Sequence, residues 1–187
     1  MRTRALALLI TALLITGCSD GSTKSQPSAG QHNDADVTFA QEMIPHHAQA
    51  VEMGKMAKDH ASDPRVKKLA TTIEAAQGPE IKQMTGWLKS WGEDVPDSKA
   101  GGHNMSHGSM SGMMSDADMK ALAQARGPGF DRMFLTMMIK HHEGAIAMAK
   151  TEQAKGKNSE AKALAKRIET SQTAEITNMK AILASMK

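Results

Sequence analysis

Two stretches of this 187-residue chain place adjacent histidines in one setting, "EMIPHHAQAVEM" from Glu42 and "MMIKHHEGAIAM" from Met137. Met43 corresponds to Met138, His46 to His141, His47 to His142 and Met53 to Met148, at a constant offset of 95. Imidazole and thioether together are ligands for soft or borderline metal ions, Cu(I) first and Cu(II) through imidazole. A helix turns by about 100° per residue, so measured from Met43, His47 lies about 40° to one side and His46 about 60° to the other. Met43, His46, His47, Ala50 and Met53 therefore share a stripe, as do Met138, His141, His142, Ala145 and Met148. A lone methionine at helical spacing is more often core filler than ligand. A histidine pair repeated in register is harder to explain as packing.

The donor set separates copper from iron. Di-iron bundles use Glu-x-x-His, whereas here the residue three before the first histidine is methionine in both copies. Carboxylates are duplicated elsewhere, in Glu74-x-x-Gln77-x-x-Glu80 and Glu169-x-x-Gln172-x-x-Glu175. They could orient imidazoles from behind or simply be solvated. Between the copies, His103, Met105, His107, Met110, Met113 and Met114 fall within twelve residues of a Gly/Ser-rich segment. Methionine there gains nothing from packing and is open to oxidation, so the segment reads as a mobile copper-capturing insert rather than a plain spacer.

The elements that position these residues follow from periodicity. A helix is expected over residues 36–60, then a second in which Asp63 is the N-cap and Pro64 the first helical residue. Val66, Leu69, Ala70, Ile73, Gln77, Ile81, Met84 and Leu88 mark its inner face, and Trp91-Gly92 its end. Gly78-Pro79 predicts a kink. The same pattern returns over residues 131–155 and 159–186, with Asn158 in the place of Asp63. Residues 93–129 join the halves (36–91 and 131–186) and carry a short helix over residues 115–126, closed by Gly127-Pro128-Gly129. One amphipathic hairpin cannot bury its stripe alone. The expected fold is therefore all-α: a four-helix bundle, ferritin-like, built from two repeated helical hairpins with a long crossover. His46 and His141 lie at equal depth, about 15 Å along their helices. One shared site or two separate ones are both feasible.

The N-terminus has a different character. Arg2 and Arg4 precede an apolar run over residues 5–15 that is too short to span a bilayer and suits a signal peptide covering residues 1–17. Ile15-Thr16-Gly17-Cys18 resembles a lipobox, and Cys18 is the chain's single cysteine. We expect lipid attachment at Cys18, followed by a polar tether over residues 18–35. The protein would then be anchored to a bacterial membrane, in the cell envelope, facing the periplasm or exterior. With Cys18 so used, the domain over residues 36–187 has no thiolate ligand. Removing residues 1–17 lowers the formal charge from +3 by two arginines to +1. With no basic block interleaved with aromatics, nucleic acid is not an expected partner.

The motifs Met-Ile-x-His-His-x-x-Ala-x-x-Met, Gln-x-x-Glu-Ile-x-x-Met and Gly-x-x-Phe-Asp-x-x-Phe resemble those of the family catalogued as domain of unknown function 305. The resemblance covers about residues 36–186 apart from the Met-rich insert. It implies a ferritin-like helical bundle of bacterial envelopes and, from members described as periplasmic copper-binding proteins, a role in copper homeostasis or resistance. Carried over by position, the implied ligands are His46, His47, Met53, His141, His142 and Met148. Pro45 against Lys140 makes the two copies unequal. Two rival functions stay open: a ferritin-like metal oxidase using Glu74, Glu169 and the histidines, and a metal-free interaction module that senses pH through imidazole. Copper is either sequestered or handed on, the second requiring a delivery partner that the sequence does not name.

Overall fold

The computed structural model describes residues 31–97 and 111–186. The expected signal peptide, Cys18, most of the expected tether and His103, Met105, His107 and Met110 lie outside the described residues. Five helices follow one another: α1 (Asp34–His60), α2 (Pro64–Trp91), α3 (Asp116–Gln124), α4 (Gly127–Lys155) and α5 (Ser159–Ser185).

Local chemistry explains the helix ends. Asn33 caps α1 in a capping box with Asp36, and the Asp63 carboxylate accepts from the Arg65 amide at the start of α2. Asn158 accepts from Glu160 and Ala161 at the start of α5. Each satisfies helix N–H groups that have no partner within the helix. α2 ends at Gly92 in the left-handed conformation and runs unbroken through Pro79. α4 starts at Gly127, four residues before the position expected from periodicity. Gly127-Pro128-Gly129 is thus its first turn rather than a loop, since proline's missing N–H costs nothing there, and Phe130 is buried by it.

Pairing follows the repeat: α1 packs on α2, α4 on α5, and the two hairpins meet along α1 and α4. Two buried aspartates set the direction of that seam. Asp36, in the first turn of α1, accepts from the backbone N–H of Lys157 (3.1 Å) and Asn158 (2.9 Å) in the loop after α4. Asp131, at the equivalent place in α4, accepts from Ser62 and Asp63 in the loop after α1, at 3.1 and 2.9 Å, and from the Ser62 hydroxyl. The start of each inner helix is therefore tied to the end of the other, and α1 and α4 run antiparallel. Burial pushes the Asp36 carboxyl up, but its hydrogen bonds outweigh this and hold it below the ordinary range. Beside it lies Glu152, which burial first and Asp36 second push up to about 8.

The core falls into two apolar clusters. One joins Phe39, Met43 and Ile44 of α1 with Leu88, Ala145 and Leu164; the other joins Met53 of α1 with Ile73, Met114, Phe134, Met138 and Met179. In α1 and α4 the residues that separate them are the histidine pairs. α3 covers one end by burying Leu122.

Candidate metal centre

The antiparallel seam brings the two histidine pairs to one level. His46 and His141 face each other with ring centroids 3.7 Å apart and planes 39° from parallel. All four histidines have no exposed surface. Among the described residues, neither ring nitrogen of His46 or His141 has a hydrogen-bond partner. Burial, then the charges of neighbouring imidazoles, lowers His46 to about 3, with the nearby Ser111 backbone acting in the opposite direction. Burial and the same neighbours hold His141 well below the ordinary imidazole range. Both rings are accordingly neutral across the physiological range, with lone pairs available for donation.

His47 and His142 are held differently. His47 Nε2 lies 2.8 Å from Glu80 Oε2, and His142 Nε2 lies 2.7 Å from Glu175 Oε2. A carboxylate only accepts, so each Nε2 carries the proton, and in the neutral ring Nδ1 is left as the donor of a lone pair. Both Nδ1 atoms are buried and, among the described residues, lack a partner. This is the arrangement in which a carboxylate fixes the tautomer and orientation of a metal-binding imidazole. Of the duplicated carboxylates, Glu80 and Glu175 therefore meet the histidines. Glu74 instead pairs with Lys58 at 2.9 Å, and Glu169 with Lys166 at 2.9 Å and Gln153 at 3.0 Å.

Methionines flank the histidine layer, grouped across the hairpins rather than within them. Because the helices are antiparallel, Met43 of α1 shares a cluster with Met148 of α4, and Met138 of α4 with Met53 of α1. Met43, Met53 and Met138 are fully buried, and Met148 is half-buried. Among the described residues no three His, Cys, Asp or Glu side chains converge into a ready coordination set.

The end of the insert differs from expectation. Met114 is buried, and its backbone N–H and C=O are both bonded by the Gln49 side chain, at 2.8 and 2.9 Å. Residues 111–114 are therefore docked on the bundle. Gln49 was missed in the sequence, although the signal was there: Gln49 and Gly144 occupy equivalent positions and break the repeat.

A family model described as domain of unknown function (DUF305) matches residues 36–183. The chain belongs to that family. Among solved structures, a DUF305 protein of Streptomyces coelicolor, described as secreted, is 35% identical with a TM-score of 0.72, over 81% of this chain and 92% of that one. CopM in its Cu(I)-bound form is 34% identical with a TM-score of 0.65, over 78% and 93% of the two chains. Its Cu(II)-bound form gives 36%, 0.70, 81% and 97%, and CopM has also been solved with silver. An uncharacterised protein of Acanthamoeba polyphaga mimivirus is 42% identical over 53 residues, and the chain spans about a third (35%) of that relative's length. No helix among the described residues is long and apolar enough to cross a membrane.

Proposed function

We propose that this DUF305 protein is an envelope copper-binding lipoprotein that sequesters copper or hands it on, in copper homeostasis or resistance. The observation that carries the reading is the buried histidine layer. Six imidazole nitrogens without partners among the described residues, two each on His46 and His141 and one each on His47 and His142, lie at the meeting of the two hairpins. Buried polar groups left unpaired cost stability, and a metal ion is the partner that neutral imidazoles accept without protonation. The flanking Met43, Met53, Met138 and Met148 supply soft sulfur and favour the monovalent ion. Copper- and silver-bound CopM supports the same cargo.

The rival readings have less behind them. A carboxylate-rich oxidase centre would need Glu74 and Glu169 among the histidines, and both are engaged by other side chains. A pH sensor built on His46 would have to titrate near neutrality, and burial has moved that ring to about 3. We further propose that Cys18 carries the lipid anchor and that His103, Met105, His107 and Met110 capture copper before it reaches the bundle.

X-ray absorption of the Cu(I)-loaded protein tests the assignment. The expected spectrum has mixed nitrogen and sulfur ligands, with the nitrogen component reduced when His46, His47, His141 and His142 are all replaced by alanine. A spectrum of oxygen ligands alone, or one unchanged in the fourfold variant, would contradict it.

A further inference from the structure

Residues 111–114 lie across the two halves of the bundle at one of the places where the repeat is broken. Gln49 and Gly144 are the equivalent positions in α1 and α4, and both are used there. The Gln49 amide makes a two-point bond to Met114, accepting from its N–H and donating to its C=O. Gly144 lets the backbone approach: a Cβ at this position would stand 1.9 Å from the Ser111 carbonyl oxygen. Gly112 completes the contact. It adopts φ +87°, and a Cβ on it would stand 2.7 Å from the Lys140 carbonyl oxygen and 3.0 Å from that of His141. Only glycine accepts both that backbone conformation and that proximity. Gly112 thus lies against the backbone of His141, and Met114 enters the cluster that holds Met53 and Met138. Met43 and Met148, at the other end of the histidine layer, share their cluster with Met84 of α2, and among the described residues no methionine of the insert joins it.

We propose that Gln49 and Gly144 are positioning residues for the metal cargo: they seat residues 111–114 as a latched cover on the His46/His141 pair. Met114 then joins Met53 and Met138 at one end of that pair, and the cover lifts for a soft monovalent ion to enter or leave. The proposal rests on the copper reading above and adds what controls exchange. It also makes the two ends of the histidine layer unequal, since among the described residues the insert adds a thioether, that of Met114, to one flanking cluster alone.

Gly144→Ala and Gln49→Ala, each in the full chain, test it. The first removes a glycine from a helix interior, so α4 itself is not weakened, while the added methyl displaces Ser111. In metal-free protein, hydrogen exchange at the Met114 amide should accelerate at least tenfold in both variants, with the amides of α1, α2, α4 and α5 unchanged. In protein loaded with Cu(I), and separately with Ag(I), release to a competing chelator should be at least tenfold faster than from the parent. Faster exchange spread over the whole bundle, or release at the parent's rate from both variants, overturns the proposal. A parent that binds neither ion overturns the copper reading, and the metal-free exchange result keeps that failure separate from failure of the latch.

Discussion

Replacing the central histidines by an apolar residue should stabilise the metal-free protein, a result opposite to that for most core substitutions. The perturbation is His46→Leu with His141→Leu. The two rings carry four buried nitrogens without hydrogen bonds, and an unsatisfied buried group costs about 1–3 kcal/mol. Leucine is similar in size to histidine and has no polar atom, so most of that cost is removed. Some is returned as packing strain, which runs to about 1–3 kcal/mol when a shape does not fit. We expect a net gain of about 1–3 kcal/mol at pH 7.5. The assay is urea unfolding of chelator-treated protein followed by circular dichroism, with a higher midpoint and an unchanged slope. The gain should grow on acidification. His46 is about 3 in the fold against 6.5 when free, so the parent loses stability as pH falls below 6.5, by about 2 kcal/mol at pH 5 from this ring alone. His141 adds in the same direction. Glu152, raised to about 8, slopes the opposite way but is present in both proteins, so the difference between them isolates the histidines. A double variant less stable than the parent at pH 7.5, or a difference that does not widen at pH 5, would refute the reasoning.

Asp131→Ala should cost about 2–4 kcal/mol, because it strips a charged acceptor from the Ser62 and Asp63 amides and loosens the seam; urea midpoints measure this, and Asp131→Asn should lose less. Glu80→Gln and Glu175→Gln should each weaken copper binding about 10–100-fold while leaving the helical signal intact, since each holds a histidine from behind; chelator competition reads the loss. Deleting residues 101–110 should keep the fold and residues 111–114 in place but lower the number of copper ions bound, and equal stoichiometry by metal analysis would reduce that part of the insert to a spacer.

Most of the fold was legible in the sequence because it depends on local chemistry. The Asp63 and Asn158 caps, the Gly92 stop and the 95-residue repeat give the hairpins almost to the residue. The start of α4 was not, because Gly127-Pro128-Gly129 has loop composition and burial of Phe130 decides otherwise. Along α2, Ile81 was expected inside and is only partly buried, while Trp87, not singled out, is buried. At the candidate site the stripes named the histidines and methionines correctly as neighbours along each helix. They left open whether there was one meeting point or two, since helix direction is set by Asp36 and Asp131 through long-range bonds. The same direction exchanged the methionine partners. Residues 111–114 lack apolar periodicity, and their docking depends on two backbone bonds to Gln49 and a close approach at Gly144.

The central claim is that histidines from both hairpins form one copper site. Anaerobic Cu(I) titration against a competing chelator tests it most directly, on the parent, His46→Ala with His47→Ala, His141→Ala with His142→Ala, and the fourfold variant. A shared site predicts that either double variant loses the bundle's tight binding and that the fourfold variant loses little more, a strongly non-additive pattern. Full Cu(I) affinity in the fourfold variant, with the helical signal intact, would contradict the account.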